Sequence, residues 1–226
     1  MAAPSPRGIV FDFDGVLADT EHLHLRAYQD VFSRRGWSLD ETAYFTRYLG
    51  YDDEDLLRLY VRDHRLAMDD GLLGALLDEK TAVYERRIAT GDVLYPGAAA
   101  VVRALAPQFK LAIASGSRRP EILHIVRAAG LMDAFTAIVS ADDLTKSKPS
   151  PEPYLTAAAG LGLDPRACLA IEDSHWGLDS ARAAGLRTIA LTTTSPASVL
   201  RAADRIVSRI EEVTVALIEE ILRASA

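Results

Sequence analysis

The stretch GIVFDFDGVLADT, residues 8–20, decides the fold. It opens as an apolar run, Ile9, Val10 and Phe11, and breaks into acid at Asp12 and Asp14 before Gly15. Such a run reads as a buried strand of an α/β sheet, whose carboxyl end is where ligands gather. Strand alternation predicts Asp12 and Asp14 on one side and Phe13 on the other. Two carboxylates that close repel each other, which points to a cation between them or to one shared proton. A turn rich in Asp and Gly that merely ends a strand is the plain alternative. The remaining strand ends decide between the two.

Beyond Asp19 the pattern changes to helical periodicity, which runs to about Arg87. Leu25, Tyr28 and Phe32 share one face, as do Leu56, Leu59 and Tyr60. Gly36, Gly50 and Gly71 punctuate this stretch into about four helices, the last spanning Leu72–Ile88 and ending near Gly91. After the turn Tyr95-Pro96-Gly97 the chain returns to alternating strands and helices. The expected organisation is therefore an α/β core of residues 1–18 and 94–226 with a helical cap, residues 19–93, inserted in it. The junctions near Ala18–Glu21 and Thr90–Tyr95 are the natural hinges.

Within the core, strands are expected at Phe109–Ala114, Ala137–Val139, Ala167–Ile171, Thr188–Leu191 and Arg205–Val207. Ser117 is the expected cap of the helix that carries Ile122, Ile125, Val126 and Ala129, and Gly130 closes that helix. Val213, Leu217 and Ile221 mark a C-terminal amphipathic helix. Strand–helix repeats of this length mean a parallel, doubly wound, Rossmann-like sheet.

Polar groups stand at four strand ends or in the loops after them: Asp12 with Asp14, Ser115, Lys148, and Glu172 with Asp173. In an open parallel sheet these loops converge on one crevice. The set has a chemical logic. Asp12 can act as nucleophile and Asp14 as proton donor and acceptor, while Glu172 and Asp173 help to hold Mg²⁺. The Ser115 hydroxyl and the adjacent amides, that of Gly116 included, can hold phosphate oxygens, and Lys148 balances charge between nucleophile and phosphate. A carboxylate attacking a phosphate is disfavoured by repulsion, so metal and lysine are needed together. Taken singly, Lys148 also reads as a solvated loop lysine, and Glu172-Asp173-Ser174 as a helix start.

Composition bounds the rest. A chain of 226 residues can bury a sizeable core. Hydrophobic content of 49% and charged content of 25% are globular values. A net charge of −7 without a dense basic run argues against a nucleic-acid surface. The lone Cys168, within the apolar run CLAI, reads as a buried thiol and fits a reducing cytosol. No apolar stretch is long enough to span a bilayer, and MAAPSPR lacks a signal core. A soluble cytoplasmic protein without a membrane partner is expected.

The motifs in their order resemble the haloacid dehalogenase-like hydrolase superfamily over nearly the whole chain. They are the DxDGVLxDT pattern at Asp12–Thr20, Ser115 in ASGS, Lys148 in SKPSPEPY, and Glu172-Asp173-Ser174 followed by Gly177. The chain looks most like the branch of phosphatases and β-phosphoglucomutases with a helical cap after the first motif. The resemblance implies Asp12 as phosphoryl-accepting nucleophile and Asp14 as general acid, then base. It also implies Mg²⁺ held by Asp12, the main-chain carbonyl of Asp14, and Glu172 with Asp173. Dehalogenases of the superfamily generally lack the second Asp, because a halide needs no proton whereas a sugar alkoxide does. Phosphonate cleavage, which in the family uses a cap lysine as a Schiff base, is a weak alternative: Lys80 is in the cap, but the sequence gives no reason for a depressed pKa there.

Hydrolysis and mutation share the core chemistry. The mutases resembled carry a cap arginine after a Gly, where this chain has Tyr51-Asp52-Asp53-Glu54-Asp55 after Gly50. An acidic loop repels a distal phosphate, so hydrolysis of a small monophosphate ester, of sugar or polyol type, is expected, with mutase activity as the alternative. A regulatory protein that kept the fold and lost turnover is a third class; the complete motif set argues against it. Lys80 with Tyr84 matches a pair common in the branch, and His24 falls at a hinge-proximal position. Thr20, His24, Tyr51 and Lys80 are thus the candidate substrate or cap residues, and Trp37 and Trp176 read as packing. A monomer is expected, with the core supplying chemistry and cap closure excluding water.

Overall fold

The computed structural model describes residues 7–49, 51, 53–89 and 93–223. Gly50, Asp52, the opening residues 1–6 and the stretch 90–92, where part of one expected hinge falls, lie outside the described residues. The chain divides into two compact units, Met1–Asp19 with Val93–Ala226, and Thr20–Asp92.

The first unit is built on six parallel strands: β1 (Gly8–Phe11), β2 (Lys110–Ala114), β3 (Phe135–Val139), β4 (Cys168–Glu172), β5 (Arg187–Leu191) and β6 (Arg205–Val207), in the order β3-β2-β1-β4-β5-β6. All four residues of β1 are buried, and Ile9, Val10 and Phe11 expose nothing. β1 is central because such a strand satisfies both of its edges: Val10 registers with Ala112 on one side and Ala170 on the other. The sequence proceeds outward from β1 through β2 to β3, then restarts at β4 and proceeds the other way. The switch point is therefore the crevice at the carboxyl ends of β1 and β4.

Helices between the strands cover the sheet. One, Glu152–Leu161, seats Tyr154, Ala157, Ala158 and Leu161 against Val10, Ala112, Ala114 and Ala170. The small alanines on the sheet let a helix carrying a tyrosine lie close, and a fully buried Leu such as Leu161 is worth roughly 1.5–3 kcal/mol. Cys168 is buried in the same cluster, and burial pushes its thiol up to about 11, as suits a packing side chain.

The second unit is helical. Its elements are Thr20–Ser33, the short Glu41–Ala43 continued by a π-helical stretch Tyr44–Tyr48, Asp53–His64, and Asp70–Ala89. Tyr28, Phe32, Leu56, Tyr60 and Leu76 form its interior, with Phe32 and Tyr60 ring centroids 4.4 Å apart. No helix among the described residues is long and apolar enough to cross a membrane.

Four expectations change. β1 stops at Phe11, so strand alternation does not place Asp12 and Asp14; the amide of Asp12 makes a last bond to Ile171, and the chain then turns, with Leu17 and Ala18 both donating to the Phe13 carbonyl. Gly71 lies inside the helix Asp70–Ala89 rather than between helices, because Asp69 accepts from the Leu72 amide one residue further on. Ser117 caps no helix: Arg118 occupies the cap position of Arg119–Ala128, and the Arg119 amide is satisfied by Asp142 from another loop. The last helix begins at Val215, so Val213 packs ahead of it and the buried stripe is Ile218, Ile221 and Leu222.

Candidate active site

The end of β1 delivers Asp12, 7% exposed, to the switch point. Lys148, from the loop after β3, reaches in and donates to Asp12 Oδ1 at 2.7 Å and to Glu172 Oε1 at 2.6 Å. Glu172 ends β4 with no exposure at all. Its Oε1 also accepts from the Tyr154 hydroxyl at 2.7 Å, and its Oε2 from the amides of Asp173 and Ser174 and from the Ser174 hydroxyl. Five donors on one carboxylate fix it as the anchor of Lys148.

Glycines make this closeness possible. A Cβ at Gly177 would overlap the Glu172 carboxylate, and one at Gly15, where φ is +79°, would overlap Asp173. The Thr193 hydroxyl, beyond β5, donates to the Gly15 carbonyl at 2.5 Å, and the Thr194 hydroxyl donates to Asp173 Oδ2.

The charges are unevenly matched. Burial, then the Glu172 charge, pushes the Asp12 carboxyl well above the usual range despite Lys148. Burial likewise raises Asp173 to about 7, with Glu172 adding to it. Burial would raise Glu172 too, but the Lys148 charge and the bonds it receives bring it below the usual value. Burial works against the Lys148 ammonium and is outweighed by Asp12 and Glu172, so its pKa stands above normal. One ammonium thus serves three buried carboxylates. Asp12, Glu172 and Asp173 each offer an oxygen within 4.8 Å of the others, a donor set that suits a hard divalent cation. Glu172 already has both oxygens occupied, which leaves Asp12 and Asp173 as the carboxylates better able to meet a metal.

Asp14 stands apart from this group. Its Oδ2 accepts from the Ser117 hydroxyl at 2.6 Å and the Ser115 hydroxyl at 3.1 Å. Ser115, Gly116 and Lys148 line one cleft of about 280 Å³ together with Ala141, Leu144 and Ser147. The three residues expected to bind phosphate therefore share one recess, beside the acid cluster.

Residues 6–185 match the family model described as a haloacid dehalogenase-like hydrolase. The chain belongs to that family. Among the relatives of this haloacid dehalogenase-like hydrolase is Protein CbbY of Rhodobacter capsulatus, 37% identical over 194 residues that cover 81% of this chain and 84% of the relative. The β-phosphoglucomutase of Bacillus subtilis is 30% identical, covering 95% of this chain and 94% of its own. The crystal structure of CbbY from Rhodobacter sphaeroides in complex with phosphate is similar with a TM-score of 0.77 and 28% identity, over 93% of this chain and 98% of that one.

The helical unit of this hydrolase carries its own polar cluster. Lys80, 2% exposed, donates to both oxygens of Asp53 at 2.7 Å and to His24 Nδ1 at 2.7 Å. The His24 ring stacks on Tyr84 with centroids 4.2 Å apart, and burial followed by the Lys80 charge lowers its pKa to about 3, so it is a neutral acceptor. Thr20 is buried at the start of its helix and Tyr51 is 52% exposed. An ammonium bound by a carboxylate is not the free amine that Schiff-base chemistry requires.

Sequence reading missed Ser117, Tyr154, Thr194 and Asp53. Tyr154 carried a signal, since a tyrosine on a buried helical face needs a partner for its hydroxyl. Ser117 carried the opposite signal, standing where a helix cap is usual.

Proposed function

We propose that this hydrolase is a Mg²⁺-dependent phosphatase acting on a small phosphorylated metabolite, a sugar or polyol monophosphate, through a phosphoryl-aspartate at Asp12. The observation that carries the reading is Lys148, which bonds Asp12 at 2.7 Å while lining the cleft formed with Ser115 and Gly116. A cation in that place serves nucleophile and phosphate at once.

In this reading the phosphoryl group enters the cleft, and its oxygens take the Ser115 hydroxyl, the Gly116 amide and the Lys148 ammonium. An Asp12 oxygen attacks phosphorus as the bond from phosphorus to the ester oxygen breaks. Protonated Asp14 gives its proton to that departing oxygen, so the product leaves as an alcohol. Asp14, now a carboxylate, takes a proton from the water that attacks the phosphorus. The bond to Asp12 breaks and inorganic phosphate is released. Asp12, Asp173 and the main-chain carbonyl of Asp14 would hold Mg²⁺, which supplies positive charge beside the phosphoryl oxygens. Glu172 keeps Lys148 in place.

Mutase activity is the second reading, and the charge of the helical unit supports it less than hydrolysis. Its buried cation Lys80 is already matched by Asp53, within the acidic run Asp53-Glu54-Asp55. An acidic run repels a second phosphate, which supports hydrolysis over isomerisation.

The test is phosphate release from a panel of metabolite monophosphates with Mg²⁺ and with EDTA, beside Asp12→Asn. Mg²⁺-dependent release from a narrow set, lost in the variant, is expected. Isomerisation of β-glucose 1-phosphate with a bisphosphate primer, at little phosphate release, would replace hydrolysis by mutation. Unchanged activity in Asp12→Asn would remove Asp12 from the chemistry.

A further inference from the structure

Asp14 is gripped by two serines on one oxygen. Ser117 Oγ lies 2.6 Å from Asp14 Oδ2 and Ser115 Oγ lies 3.1 Å from the same atom. The serines are linked to each other as well, the Ser117 amide donating to Ser115 Oγ at 2.9 Å. That bond uses a lone pair of Ser115 and turns its proton outward, where the long contact with Asp14 receives it.

The two hydroxyls differ in what else they can reach. Ser115 lines the cleft assigned above to the phosphoryl group, and Ser117 does not. A phosphoryl oxygen is a strong charged acceptor and competes for the Ser115 proton, whose present bond is the weaker of the two. Ser117, outside that lining, holds the shorter bond to Asp14. Its backbone is pinned as well, because its carbonyl accepts from the Ala141 amide at 3.0 Å.

We propose that Ser117 is the positioning residue for Asp14: when substrate draws the Ser115 hydroxyl onto its phosphoryl group, the Ser117 hydroxyl keeps the Asp14 carboxyl oriented toward the leaving oxygen. The inference rests on the reading of Asp14 as general acid given above. Both hydroxyls bond Oδ2, so Oδ2 is the accepting oxygen and the proton to be delivered is carried on Oδ1. The donated proton goes from Asp14 Oδ1 to the ester oxygen as its bond to phosphorus breaks, and Ser117 neither gains nor loses one.

Leaving groups separate this role from a structural one. An alkyl alcohol needs the proton to depart, and 4-nitrophenolate does not. Ser117→Ala is expected to lower kcat/KM for an alkyl monophosphate about ten-fold, a part of the roughly hundred-fold or more that a general acid supplies, and for 4-nitrophenyl phosphate by about two-fold or less. Ser117→Thr keeps the hydroxyl and is expected to restore the ratio between the substrates. The variant removes no helix cap, since Arg118 holds that position; a thermal melt checks that the fold is kept. Asp14→Ala serves as the reference. If Asp14→Ala shows the alkyl-selective loss while Ser117→Ala lowers both substrates equally, or neither, the inference is overturned and Asp14 keeps its role. If Asp14→Ala shows no alkyl-selective loss, the reading of Asp14 fails, and the inference falls with it.

Discussion

The Tyr154 hydroxyl donates to Glu172 Oε1 at 2.7 Å, the same oxygen that receives Lys148 at 2.6 Å. The Lys148 ammonium also lies 5.2 Å from the centre of the Tyr154 ring. A residue of a core helix therefore touches both members of the ion pair that supports Asp12. Tyr154→Phe keeps the ring and loses the donor. A bond to a buried charged group contributes about 1.5–3 kcal/mol, so a loss in that range is expected in a urea titration. Phosphate release should fall several-fold, because Lys148 is less firmly aimed. Unchanged stability and rate would show that the remaining four donors suffice for Glu172.

Gly177 gives a sharper perturbation of the same carboxylate. Any side chain there overlaps Glu172. Gly177→Ala must displace the carboxylate or the first turn of the helix His175–Ala183, at a cost of about 1–3 kcal/mol for overpacking. Activity should fall much further than stability, since Lys148 follows Glu172. Parallel measurement of kcat and melting temperature decides this; normal activity would mean the turn moves and the carboxylate does not.

Protonation of the metal-free site has a defined sign. Asp173 stands at about 7 when folded, while an unfolded aspartate titrates near 4. Between those values the native state keeps a proton that the unfolded state has released. Stability therefore falls as pH rises from about 4 to about 7 and levels off beyond. Asp12 is raised too and adds in the same sense. Melts in EDTA should give a lower Tm at pH 8 than at pH 5, with a smaller difference in Asp173→Asn. Mg²⁺ should stabilise more at pH 8 than at pH 5, because it binds the ionised carboxylates. An equal difference in Asp173→Asn would remove that group from the effect.

His24 carries the opposite dependence. Burial holds its folded pKa to about 3, against about 6.5 unfolded. Below the unfolded value the unfolded state takes up a proton that the native ring refuses, so this contribution is complete above about pH 6.5 and declines as pH falls. The His24 ring signals in an NMR titration should not move between pH 5 and 8. A midpoint inside that range would show that Lys80 does not donate to Nδ1.

The sheet was legible because β1 is a short run with no polar residue, and because polar groups recur where successive apolar runs end. Ser115, Lys148 and Glu172 could be placed at one edge by that rule alone. Where β1 stops was not legible: Phe13 continues the apolar alternation, and only the turn that closes on its carbonyl ends the strand. Pairings across long separations were hidden for the same reason. Ser117 prefers a helix cap by local propensity and is taken instead by Asp14, 103 positions away. Asp53 read as an acidic helix start, and its bond to Lys80, 27 positions on, appears only once the helices pack.

The switch in strand order has a consequence for the folding chain. Lys148 comes from the half of the sheet that grows from β1 through β3, and Glu172 from the half that begins at β4. Without the Lys148 loop, Asp12, Glu172 and Asp173 would gather with no ammonium bonded to them. The Lys148 loop supplies the charge that lets the carboxylates of the two halves stand side by side, so the contact that joins the halves is also the one that equips the site.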